Sequence, residues 1–125
     1  GDSRTYRMRN TALKQLTKDH SLVQEQLDQG LITAEEAQRH AMRNVILRAV
    51  GVNDTVALDI LKGRQRPGDI FLLCSDGLTD MVAESEIQAA LTTDDSLQEK
   101  SRALIRMAKQ SGGKDNVTVA LAEIV

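Results

Sequence analysis

Ile70-Phe71-Leu72-Leu73-Cys74 is the most restrictive stretch of the chain: five apolar residues in a row, stopped at once by Ser75-Asp76-Gly77. A strand with one wet face alternates apolar and polar residues, so an unbroken run this short reads as a strand buried on both faces. The fold is therefore layered, and polar groups are expected where that strand leaves the core. Tyr6 and Phe71 are the only aromatic residues and Trp is absent, so the core is aliphatic. The lack of rings also removes the stacking platform that single-stranded nucleic acid requires.

Other stretches carry clear local signals. Thr5-Tyr6-Arg7-Met8-Arg9, the polar pair Asn10-Thr11 and Ala12-Leu13-Lys14-Gln15-Leu16 read as a hairpin of two short strands. Leu22, Val23 and Leu27 share a helical face before Gly30, and Thr33-Ala34-Glu35-Glu36 has the form of a capping box, predicting a second helix to about Met42. Asn44 to Val50 and Thr55 to Ile60 are β-rich runs around the turn-forming Gly51-Val52-Asn53-Asp54, so two more strands are expected. Arg66-Pro67-Gly68-Asp69 is a turn. Helical patterns follow from about Ser85 to Leu91 and from Ser96 to Gln110, the second placing Leu97, Leu104, Met107 and Ala108 on one face before Gly112-Gly113. Val117 to Ile124 closes the chain as a strand apolar on nearly both faces. Strands at the ends and centre with helices grouped between them make the class α+β.

With 16 Lys+Arg against 18 Asp+Glu, a net charge of −2 spread along the chain offers no basic surface for nucleic acid or an anionic membrane. No apolar run approaches the ~20 residues of a membrane-spanning helix. The single cysteine, Cys74, allows no internal disulfide and fits a reducing compartment, so the cytoplasm is expected. Cys74 itself reads as core packing.

The candidate chemistry lies at strand ends. Asp76 and Asp80 follow one apolar strand and Asp115 precedes another. Carboxylates so placed can converge at a sheet's edge, and oxygen donors suit hard cations such as Mg²⁺ or Mn²⁺. Asp-Gly and Asp-Asn are equally ordinary turn chemistry, and Asp80 also reads as a carboxylate at a helix N-terminus. A structural ion pair is expected of Arg4.

Three words stand in order: Gly1-Asp2-Ser3-Arg4, Leu73-Cys74-Ser75-Asp76-Gly77-Leu78-Thr79-Asp80 and Gly113-Lys114-Asp115-Asn116-Val117-Thr118-Val119. Together with Leu16-Thr17-Lys18-Asp19-His20-Ser21 and Asn44 to Gly51, they make the whole chain resemble the C-terminal half of a bacterial type 2C (PPM) protein serine/threonine phosphatase. The resemblance implies an αββα sandwich of antiparallel sheets, of which residues 1–125 form part, and a centre of two or three Mg²⁺ or Mn²⁺ ions activating water toward phosphoserine or phosphothreonine. It implies Asp76 and Asp115 as core metal ligands and Asp2 as ligand to a third, weaker ion. Residues 16–47 resemble the family's flap, in which His40 and Arg43 are candidates for substrate contact. Ala41 stands where many bacterial members carry Pro.

The family's N-terminal half supplies an Asp-Gly-x-Gly-Gly metal motif, an upstream acidic ligand and a phosphate-holding Arg, none of which occurs here. The resemblance thus implies that no complete catalytic set lies within these residues, and that the chain begins inside a larger protein. Its expected partners are phosphorylated proteins and either a complementary N-terminal half or a second copy in an oligomer. A non-catalytic phosphatase-like binding module is the alternative function.

Overall fold

Asn10 and Thr11, with φ of 48° and 65°, make the two-residue turn of a hairpin in a computed structural model describing residues 1–125. Two central residues with positive φ match the right-handed twist of the flanking strands, although Thr adopts that conformation reluctantly. The turn joins β1 (Arg4–Arg9) to β2 (Ala12–Gln15) with Met8 opposite Leu13. On its other side β1 pairs antiparallel with β3 (Ile70–Cys74), which pairs antiparallel with β4 (Val119–Glu123). The sheet runs β2-β1-β3-β4.

Three helices belong with this sheet: α3 (Asp76–Thr79), α4 (Glu84–Thr92) and α5 (Leu97–Gln110). Because alternate strand residues face opposite ways, Tyr6, Met8, Ile70, Leu72 and Cys74 meet Leu78, Ile87, Leu91, Leu104 and Ala108 in one buried cluster. The Tyr6 hydroxyl accepts from Arg4 and donates to Glu84 at 3.1 Å, and burial pushes its pKa up to about 12. The architecture is the expected α+β. Residues 3–17 with 62–125 constitute this sheet unit, and residues 1–2 with 18–61 form a second compact unit.

Double-sided burial of the apolar strands does not hold within these residues. Leu73 is 49% exposed, Ala120 and Ala122 are exposed and Phe71 is only partly covered, so the sheet face away from the helix-side core retains apolar surface. β3 spans the whole run 70–74, but its odd-numbered members lack cover in this chain.

In the second unit, α1 (Leu22–Asp28) starts at Ser21, whose hydroxyl accepts from the Gln24 amide, and Gly30 follows with φ of 72°. Helix α2 (Ala34–Arg39) starts at Thr33, whose hydroxyl accepts from the Glu36 amide, and stops at an extended His40 rather than running to Met42. The two strands expected over 44–50 and 55–60 are absent. Only an isolated bridge, Ser21 with Ile46, forms there, and Leu58 and Ile60 are each 76% exposed. β-rich sequence becomes strand only with a continuous neighbour to bond, and beyond the short contact of residues 45–47 with residues 20–22 the chain offers these runs none. No helix of the chain is long and apolar enough to cross a membrane.

The sheet unit contains a buried ion pair. Asp69 is 1% exposed; Arg9 donates to it through Nε at 2.7 Å and Nη2 at 2.6 Å, and the Arg66 amide donates at 2.8 Å. The Arg9 hydrogen bonds, above all, hold the Asp69 carboxyl at about 2 in spite of its burial. A carboxyl lowered in the folded state stabilises the fold above its ordinary pKa near 4 and loses that contribution as pH falls through about 2. Stability of the chain is therefore expected to fall between about pH 4 and 2. Asp69→Asn should lower Tm at neutral pH by roughly 10 °C, since it breaks a buried pair, and should flatten the acid limb. Thermal melts followed by circular dichroism across pH read both effects; an unchanged acid limb in the variant would assign it to other carboxylates.

Candidate metal centre

The end of β3 builds the centre. Ser75 leaves the strand with φ of −78° and ψ of 167°, and Asp76 opens α3. The Ser75 hydroxyl does not cap the helix it precedes. Instead it accepts from the Thr118 amide at 3.0 Å and faces the Asn116 carbonyl at 3.4 Å, while the Ser75 amide donates to the Thr118 carbonyl at 3.0 Å. The β3–β4 pairing thus continues one step beyond the sheet and ties the Asp76 position to the segment carrying Asp115.

Gly77 makes that approach feasible. A Cβ there would overlap the Asn116 carbonyl oxygen, with the carbonyl carbon at 2.9 Å and the Val117 α-carbon at 3.3 Å. Only a hydrogen fits. On the other side, α5 ends with the Gly113 amide bonded to the Ala108 carbonyl at 3.0 Å and Gly113 at φ of 53°, a left-handed exit that delivers the chain to Asp115. Asp115 then turns the chain by accepting from the Asn116 amide at 2.7 Å. Asp76 is partly buried and Asp115 exposed, on adjoining strand ends.

Cys74 and Asp80 flank the Ser75–Asp76 turn within the sheet unit. Asp80 is the C-cap of α3, so the helix N-terminus reading fails: α4 starts four residues later, at Glu84. Cys74 is buried in the core, as expected. Asp2, His40 and Arg43 belong to the unit of residues 1–2 and 18–61. There the His40 Nδ1 accepts from the Met42 amide at 3.0 Å, a turn contact, and the Arg43 Nη1 lies 3.5 Å from the Gln38 carbonyl. Nowhere do three His, Cys, Asp or Glu side chains converge. The donors at the sheet's end are carboxylate oxygens, a set that fits a hard divalent cation, with the one thiol buried in the adjoining core.

Sequence reading missed the work of Gly77 and Ser75. The signal was present, Ser-Asp-Gly directly after a buried strand, but the reason is a contact with residues some forty positions away.

No protein-family profile matches the chain. It is 47% identical over 123 residues to the serine/threonine phosphatase stp of Listeria welshimeri, a match covering 98% of this chain and 49% of that protein. A solved Streptococcus agalactiae serine/threonine phosphatase superposes with a TM-score of 0.96 at 38% identity, covering all of this chain and 52% of that one. Over its whole length the chain is similar in sequence and fold to PPM serine/threonine phosphatases. It spans about half the length of the curated relatives it matches. Another PPM structure, the catalytic domain of PstP in complex with two manganese ions, matches with a TM-score of 0.83 at 42% identity, covering 100% of this chain and 51% of that one. The PPM fold is thus shared over the full 125 residues.

Proposed function

We propose that residues 1–125 are the C-terminal portion of the catalytic domain of a metal-dependent protein serine/threonine phosphatase. The observation that carries this reading is the tie between Ser75 and Thr118, which sets Asp76 and Asp115 on adjoining strand ends in a chain similar to PPM phosphatases. Asp76 and Asp115 would hold Mn²⁺ or Mg²⁺, with Asp2 serving a further, weaker ion. The cations would supply an activated water and neutralise phosphoryl oxygens. The chain's own residues do the rest: the two carboxylates would supply oxygen donors to such cations, and the Ser75 and Gly77 contacts keep their backbones from drifting. His40 and Arg43, in a flap of residues 16–47, would meet the phosphoprotein substrate, for which an imidazole N–H or an Arg fork suits phosphate oxygens. The remaining ligands would come from the N-terminal half of the domain.

The test is Mn²⁺-dependent phosphate release from a phosphothreonine peptide. The expected outcome is little or no turnover by the 125-residue chain and turnover when the preceding half of the domain is supplied, in cis or as a second polypeptide. Turnover by the chain alone would show that it or its oligomer completes the site. Absence of turnover in the completed domain would favour a phosphatase-like binding module.

A further inference from the structure

We propose that Asp59 is a positioning residue for Asp2: it pins together the two segments that grip the backbone at residue 1. The inference rests on the reading of Asp2 as a metal ligand. Three backbone hydrogen bonds form the grip. The His20 amide donates to the Gly1 carbonyl at 2.9 Å, the Gly1 nitrogen donates to the Arg48 carbonyl at 2.8 Å, and the Leu47 amide donates to the His20 carbonyl at 2.8 Å. Residue 1 therefore sits in a closed ring of main-chain bonds with His20 and residues 47–48, and Asp2 hangs one peptide away.

The side chains of the same two segments converge on one carboxylate. His20 Nε2 lies 2.6 Å from Asp59 Oδ2, Arg48 Nη1 donates to Asp59 Oδ1 at 2.8 Å, and the same Nη1 reaches the Ala57 carbonyl at 3.2 Å. The hydrogen bond from His20, then that from Arg48, hold the Asp59 carboxyl at about 2, so both oxygens are acceptors at neutral pH. Asp59 comes from a stretch with no regular secondary structure, flanked by exposed Leu58 and Ile60. Apolar burial does not hold that stretch in place, whereas the two charge-assisted contacts do. A half-exposed surface pair usually contributes little; here its partners also clamp the main chain beside Asp2, one step further out than the ligand-bonding groups whose loss changes metal affinity 10- to 100-fold, so the low end of that range is expected.

The experiment is calorimetric Mn²⁺ titration of the complete catalytic domain carrying Asp59→Asn, Asp2→Asn or both. Asp59→Asn is expected to weaken the Mn²⁺ step that Asp2→Asn removes, by about tenfold, leaving the tighter steps unchanged, and to add nothing in the Asp2→Asn background. In the 125-residue chain, the amides of His20 and Leu47 should exchange faster in Asp59→Asn. Unchanged Mn²⁺ affinity in Asp59→Asn, or an undiminished effect of it in the double variant, would overturn the positioning role. No effect of Asp2→Asn on any step would instead defeat the ligand reading on which it rests. Should Asp59→Asn not fold, Arg48→Gln, which leaves the His20–Asp59 contact, is held to the same two criteria.

Discussion

Asp76→Asn and Asp115→Asn are each expected to cut Mn²⁺-dependent turnover of the completed domain by about a thousandfold, the loss that follows when several kcal/mol of transition-state charge stabilisation goes. An amide keeps the size and one oxygen of the carboxylate but not its charge, so folding should be little affected while cation affinity falls. Calorimetric Mn²⁺ titration alongside steady-state kinetics separates the two. Asp80→Asn, at the C-cap of α3, serves as the comparison and should be milder. Unchanged Mn²⁺ affinity in both Asp76→Asn and Asp115→Asn would sink the ligand assignment, whatever happened to turnover.

Gly77→Ala is the second large effect, and it requires no cation. The new methyl would occupy the space of the Asn116 carbonyl, a main-chain group that cannot rotate away as a side-chain tip does. Overpacking of this kind costs about 1–3 kcal/mol. The strain has two outlets, either opening the Ser75–Thr118 contacts or displacing the Asp115 turn, and both separate the two strand ends. Chemical denaturation should register the loss of stability, and amide chemical shifts of Asn116, Val117 and Thr118 should move more than those of the β1–β2 hairpin. Gly63→Ala is the control: its Cβ would meet nothing within 4 Å. Equal effects of the two substitutions would show that the contact at Gly77 constrains nothing.

Features decided within a few neighbouring residues were legible in the sequence. The hairpin around Asn10-Thr11, the caps at Ser21 and Thr33, and the long amphipathic α5 all depend on short-range hydrogen bonds or on one periodic face. What misled was any stretch whose partner is absent. Residues 55–60 have the alternation and branching of a strand, yet Val56, Leu58 and Ile60 lie against no neighbouring strand. Leu73 reads as core and is half exposed for the same reason. At the candidate centre the residue types were legible and their support was not. The roles of Gly77 and Ser75 come from Asn116 and Thr118, and the role of Asp59 from His20 and Arg48, contacts that no local pattern announces.

The Arg9–Asp69 pair has a consequence for the order of folding. It joins residues 60 apart, at the point where β1 and β3 meet, and the intervening chain includes nearly all of the second unit. Closing a loop this long costs entropy before any contact repays it, whereas the β1–β2 hairpin closes across two residues. The centre of the sheet is therefore expected to zip after the hairpin has formed, and pairings of this range are what slow a small domain. A buried, doubly hydrogen-bonded ion pair at that junction also disfavours a one-residue slip, because a misaligned β3 would leave Asp69 desolvated without Arg9.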